Sequence, residues 1–372
     1  MVSAHLSVLQ LDPGKALRRI PPRPMHLRQP CYDEEFDFLT VFYDCFSSAG
    51  GQWVILTGPP LANLQLVLIP ILCEAFSKQV SSDFIVRNMD RHSQIWVRTA
   101  KRDVLVPDGT FAQKHLVVHP NQCELFDGKR VVFTKSKDND LQWIRDWAWF
   151  HARKHGCNSV LLYDNGSTRY DLAEIVEVLK SVNGLDVVVV VDWPYKFGPH
   201  EPRGKPWLQS WDSDFCQYGI LEHARHRFLA LADAVVNADI DELTITKDRT
   251  SVFELVRRSK TGYLRYPGIW IEDVSSGAGG DDRRHANFVH TAKVPALPKW
   301  TVAPQRCHLR WQWRVHDVGG MPADFELSAK VLYRHFRAIN TGWRGETRDL
   351  APPSNGWIID EHLVEWMRSL HD

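Results

Sequence analysis

The chain has 372 residues, 44% of them hydrophobic and 24% charged, and its 45 Lys and Arg balance 45 Asp and Glu for a formal net charge of zero. That length suits roughly two or three domains at about 100–200 residues each. The balance of charge argues against a broad basic surface for nucleic acid, and against more than peripheral contact with an anionic membrane.

Residues 1 to 35 are rich in Pro and Arg and read as an arm, either loose or ordered on contact. No sustained apolar core or cleavage signature marks a signal peptide. The longest apolar run, LQLVLIPILCEAF, is too short to span a bilayer and contains Pro70. Seven cysteines, an odd number with no CxxC pair, suit reduced thiols and hence a cytoplasmic protein, possible contact being with the inner membrane face. Residues 36 to 126 read as short strands: DFLTVFYDCF, QWVILTG, LQLVLIPIL, SQIWVRTA and KHLVVHP. Turn formers such as Gly58-Pro59-Pro60 separate them. A small β-rich, sandwich-like accessory domain is the expectation.

From residue 127 to the C-terminus the pattern is α/β. KRVVFTK is a strand, and NDLQWIRDWAWFHARKHG is an amphipathic helix stopped by Gly156. SVLLYDNGST is a buried strand running into a turn. RYDLAEIVEVLKSV is a helix and LDVVVVVDWP a continuous apolar strand. After a Pro- and Gly-rich loop, FCQYGILEHARHRFLALA is a helix that feeds the strand AVVNADID. This alternation predicts a Rossmann-like parallel sheet over residues 128 to 242. Ligands bind such sheets beyond the C-terminal ends of the strands. Asp164-Asn165 and Asp239-Asp241 are placed there. Residues 275 to 287 read as a polar, Gly-rich loop, and WIIDEHLVEWMRSL as a closing amphipathic helix.

The stretch VVNADIDELTI carries the strongest chemical signal. In an extended strand, Asp239 and Asp241 present two carboxylates to one face, with Ile240 turned inward. Paired carboxylates repel unless a cation lies between them, and a hard divalent ion that also holds a diphosphate supplies that charge. The bland alternative is a strand ending in a solvated acidic turn.

Three motifs in order resemble the glycosyltransferase family 92 and related bacterial polysaccharide-type transferases of the GT-A fold: the W-x-x-x-H helix in WIRDWAWFHARKHG, the strand end YDNGS, and NADIDE. The resemblance covers about residues 130 to 345. It implies a nucleotide-sugar donor (a UDP-sugar foremost), Mn²⁺ or Mg²⁺, and transfer to a hydroxyl of a glycan or other acceptor. It places Asp164, with Asn165 beside it, at the base or ribose, and Asp239 and Asp241 at the ribose and metal-diphosphate. A C-terminal His then completes the metal shell, with His316 slightly favoured over His335.

Other roles follow from chemistry. A cation near the leaving phosphate is available from Lys135 at the end of the first α/β strand, or from Lys137, Arg337 or Arg344. An inverting transfer needs a carboxylate base. Glu272 or Asp273 in YPGIWIED is preferred, with Glu242 and Asp317 as competitors. Trp270 reads as an acceptor platform or as packing. His223 and Arg227, one helical turn apart after Gln217, either face the donor or form an ordinary polar face. The turn at residues 165 to 168 is either an anion cradle or a plain N-cap at Ser167 or Thr168. Two other functions stay open. One is a metal-dependent nucleotidyl- or phosphotransferase, disfavoured because TKSKDND lacks glycine. The other is a non-catalytic glycan-binding protein.

Overall fold

The computed structural model describes residues 2–3, 5–107, 109–199, 212, 214–274, 283–319, 327–342 and 356–368, the first two by backbone alone. The chain divides into two compact units: Met1–Ala4 with Phe126–Trp193 and Leu231–Asp372, and His5–Leu125 with Pro194–Ala230. The division is not contiguous in sequence, unlike the expected one. Val2–Ser3 extend the sheet of the first unit, while the rest of the N-terminal arm is part of the second.

The first unit is built on a nine-stranded sheet: β1 (Val2–Ser3), β2 (Arg130–Ser136), β3 (Ser159–Asp164), β4 (Val187–Asp192), β5 (Ala234–Asn237), β6 (Glu242–Leu243), β7 (Tyr263–Ile271), β8 (Pro295–Val302) and β9 (Tyr333–Phe336). Their order is β1-β4-β3-β2-β5-β8-β7-β9-β6. The first five in that order run parallel. Their apolar runs are those of strands covered on both faces. β8 then pairs antiparallel with both β5 and β7, so the sheet is mixed. The α/β class matches the expectation.

Helix α1 (Leu141–His155) starts where the Asp140 side chain accepts from Gln142 N and stops at Gly156, whose left-handed φ of 66° suits glycine. It buries Ile144, Trp147, Ala148, His151 and His155, the stripe that its period predicts. Helix α2 (Leu172–Lys180) begins with a capping box between Asp171 and Glu174. Both helices bury their apolar faces with Val132, Val160, Leu162 and Val190 of the parallel strands. Gly268 lets β7 lie against β9, because a Cβ there would meet the Tyr333 ring at 2.1 Å.

The second unit has a four-stranded antiparallel sheet, in the order Asp44–Ser47, Trp53–Gly58, His92–Arg98 and Phe84–Met89. Two shorter antiparallel pairs, Leu9–Gln10 with Thr40–Phe42 and Asp103–Leu105 with His115–Val117, share its core. LQLVLIPIL, expected as a strand, lies in a helix over Gln65–Phe76 with Pro70 inside it. Leu68, Leu72 and Phe76 of that helix share a core with Val54, Leu56, Phe84, Ile95 and Val97 of the sheet.

The helix Phe215–Arg227, expected in the α/β unit, belongs to this second unit, and every one of its residues is buried. Most of its charged side chains find partners within the same unit, as burial favours. His223 Nε2 lies 2.8 Å from Asp44, and Arg227 pairs with the same carboxylate. Gln94 Nε2 donates to Glu222 at 3.0 Å, and His226 lies 3.3 Å from that acid. His223 and Arg227 are thus anchors of a buried network in the second unit. No described helix is long and apolar enough to cross a membrane.

Candidate active site

Parallel strands end on one edge of a sheet. Here the ends are brought level by register: Ser136 lies beside Asp164, and Asp164 beside Asp192. β5 stops at Asn237, level with Phe133 of β2, so the residues that follow cross the same edge.

Those residues do not continue as a strand. Glu242 N donates to Asp239 O at 3.0 Å, and the Glu242 carboxylate accepts from Asp239 N at 2.9 Å. The chain turns between them, so Asp239 and Asp241 do not share one strand face, and each has its own partners. Asp239 takes Lys135 Nζ on Oδ1 at 3.0 Å and Lys299 Nζ on Oδ2 at 2.7 Å. Lys299 also reaches Glu242 at 2.9 Å. Asp241 Oδ2 instead meets His335 Nε2 at 3.0 Å. That contact follows from pairing, because β6 runs antiparallel to β9 with Glu242 opposite His335.

The electrostatics follow from this layout. Burial works to raise the Asp239 carboxyl, but Lys135 and then Lys299 outweigh it and hold the group well below the usual range. Burial lifts Glu242 above its ordinary value against the pull of Lys299. Lys299 is only 3% exposed; burial alone would lower it, yet Asp239 and Glu242 keep it firmly charged.

Asp241, Glu242 and His335 each offer one ligand atom within 4.8 Å of the others, the one such group among the described residues. Two hard carboxylates and an imidazole suit Mn²⁺ or Mg²⁺ chemically. Asp239, with both oxygens engaged by lysines, is not in the group. Nor is His316: its Nδ1 lies 3.0 Å from Pro298 O, and burial, then Lys299, pulls it down to about 4. His335 stacks on Trp270, ring centroids 3.8 Å apart, and the Arg337 guanidinium lies 4.5 Å over the same indole. Trp270 therefore packs site side chains rather than presenting a free platform.

Asp164 and Asn165 stand at the strand edge but are tied into the loop behind them. Asp164 accepts from both N and Oγ of Ser167, and burial raises its carboxyl above the usual range. Asn165 Nδ2 donates to Trp193 O at 2.7 Å. Asp138, unforeseen from sequence, accepts from Thr168 N at 2.6 Å and Arg169 N at 3.1 Å. The amides read as an anion cradle thus have a protein carboxylate on them.

Glu272 is buried and paired with Arg337 at 2.9 Å, whereas Asp273 faces Arg283 at 3.5 Å. Asp317 sits near Arg314 at 3.9 Å, in a hairpin between Gln312–Trp313 and Val318–Gly319. Lys137 lies just past β2, and Arg344 falls outside the described residues. Lys299 is a site residue to which sequence reasoning gave no role; its local signal is a lone cation in the apolar strand PALPKWTV.

No family model matches the chain, and no curated protein matches it. Among solved structures, it is similar to the mannosyltransferase Ktr4p of S. cerevisiae at 13% identity, over 40% of each chain, with a TM-score of 0.26. It is similar to TarS of S. aureus at 16% identity, over 41% of this chain and 23% of that one, with a TM-score of 0.24. The galactosyltransferase LgtC, with donor and acceptor sugar analogues, matches at 16% identity over 48% of this chain and 58% of that one, with a TM-score of 0.27. The chain thus spans about two fifths of the first of these. Similarity this distant carries no argument for activity, which rests on the site's own chemistry.

Proposed function

We propose that this chain is a glycosyltransferase that moves a sugar from a nucleotide-sugar donor to a hydroxyl acceptor. One observation carries the reading. A donor set of Asp241, Glu242 and His335, on the antiparallel pair β6/β9 and the turn before it, adjoins the Lys135–Asp239–Lys299 network, whose Lys135 and Asp239 lie at the C-terminal ends of the parallel strands β2 and β5. Departure of a nucleoside diphosphate leaves negative charge on its terminal phosphate, and such strand ends are where that charge is met.

Asp241 and His335, with Glu242, would hold a divalent ion, which when bound supplies Lewis-acid stabilisation of the diphosphate. The protein groups do the rest. Lys299 and Lys135 fix Asp239 as an anion and balance its charge, so the turn is ordered without the donor. Trp270, with Arg337 over its own ring, stacks on His335 and helps to orient it. Asp273 is the preferred general base for the acceptor hydroxyl in an inverting transfer. Glu272, ion-paired with Arg337, is better suited to holding that guanidinium in place. A UDP-sugar is the first donor to try.

The test is a donor panel of UDP-, GDP- and CDP-sugars with Mn²⁺ and a mixture of glycan acceptors, read by released nucleoside diphosphate. Release from one donor, lost in Asp241→Ala, supports the reading. Turnover of nucleoside triphosphates alone would favour a nucleotidyl- or phosphotransferase instead.

A further inference from the structure

The residue between the two aspartates is held from behind. Ile240 O accepts from His285 Nε2 at 2.9 Å. A carbonyl oxygen only accepts, so Nε2 carries the proton. His285 is 2% exposed, and among the described residues its Nδ1 meets no partner. A bare ring nitrogen in the interior is unfavourable, and an apolar ring of similar size would avoid it. What the imidazole adds is one N–H aimed at the carbonyl of Ile240.

His285 is itself anchored. The adjacent Arg284 makes two hydrogen bonds to Asp146 of α1, at 2.8 and 2.6 Å. On its other side the His285 ring packs edge-on to Phe336, 5.1 Å between centroids. Phe336 N in turn donates to Asp241 O at 2.8 Å. The carbonyls of Ile240 and Asp241 are therefore both taken, one by His285 and one by the residue after His335. The Asp241 carboxylate cannot swing away from His335 by backbone rotation without breaking one of them.

We propose that His285 is a positioning residue for the Asp241 carboxylate, held in place by the Arg284–Asp146 pair. The inference rests on the reading of Asp241, Glu242 and His335 as a cation site. Groups behind metal ligands typically change affinity by about 10- to 100-fold when removed.

The test is Mn²⁺ binding to the full chain without substrate, by isothermal titration, on the wild type, Asp241→Ala, His285→Phe, His285→Gln and Asp146→Ala. His285→Phe keeps an aromatic ring and removes the donor; its Mn²⁺ dissociation constant is expected to rise about tenfold. His285→Gln, whose amide can still donate, is expected to recover part of that loss. Asp146→Ala leaves His285 in the chain but removes the carboxylate that Arg284 bonds twice, and is expected to weaken Mn²⁺ several-fold. A folded His285→Phe that binds Mn²⁺ like the wild type overturns the proposal, because a merely structural histidine would change melting and not affinity. If His285→Phe does not fold, wild-type affinity in Asp146→Ala overturns it equally. A wild type that does not bind Mn²⁺, or an Asp241→Ala that binds it unchanged, instead removes the cation site on which the proposal stands.

Discussion

Lys299 Nζ lies 2.7 Å from Asp239 Oδ2. The two residues are 60 apart in sequence, yet the sheet makes them neighbours. β5 pairs antiparallel with β8 so that Asn237 lies opposite Trp300, which brings Lys299 beside the residues that leave β5. The first acid of the pair is thereby committed to salt bridges with two lysines, whereas the carboxylate of the second meets His335.

That asymmetry separates two substitutions. Lys299→Met leaves the buried Glu242 without its ammonium partner, and Asp239 with one lysine instead of two. Stability is expected to fall by about 3 kcal/mol, the scale for removing one partner of a buried pair. Asp241→Ala removes a partly exposed group whose main partner is His335, and its melting temperature is expected to stay within a few degrees of the wild type while turnover is lost. Thermal melts of both variants check this. Equal destabilisation would assign Asp241 a structural role.

The two carboxylates after β7 should differ in the same way. Asp273→Asn is expected to lower kcat by about 10²- to 10⁴-fold, as loss of a general base does, with nucleotide affinity unchanged. Glu272→Gln keeps a hydrogen-bonding group beside Arg337 and is expected to lose tenfold at most. Steady-state kinetics on both variants, with the donor found by the panel, decide between them.

Stability should fall on mild acidification because several histidines are buried. Burial lowers His151 to about 3 and His155 to about 4 in the first unit. It lowers His92 to about 3 and His223 to about 4 in the second. Each is neutral when folded and binds a proton more readily when unfolded. Their contribution is complete above the unfolded value of about 6.5 and declines as pH falls from there towards 4, by about 1.4 kcal/mol per pH unit for each group. Melting curves between pH 7.5 and 4.5 should show a steep decline. His151→Phe, in the aromatic surroundings of Trp147, Phe150 and His155, should make it shallower. A melting temperature flat across that window would contradict the buried, neutral state of these rings.

Much of the α/β unit was legible because its elements carry strong periods. The stripe Ile144, Trp147, Ala148 and His151 announces α1, and the run VVVVVD announces β4. LQLVLIPIL misled because an apolar run shows no contrast between faces, and Pro70 argued against a helix. Only the spacing of Leu64, Leu68, Leu72 and Phe76, all buried, held the helical signal. Chain order also misplaced the helix Phe215–Arg227, whose partners Asp44 and Gln94 lie over a hundred residues earlier. In the site, the carboxylates and His335 could be read from sequence, but their partnerships could not. Whether DID continues a strand or turns depends on Glu242 reaching back to Asp239 N. Lys299 and His285 act through long-range pairing, and nothing local distinguishes them from ordinary core residues.

The most direct measurement is isothermal titration of the full chain with UDP and GDP, with Mn²⁺ and with EDTA, repeated on Asp241→Ala. A nucleotide-sugar transferase using Asp241, Glu242 and His335 as its cation site should bind one of these diphosphates with Mn²⁺, and lose that binding both in EDTA and in Asp241→Ala. Equal binding in EDTA, or binding untouched by the substitution, would contradict it.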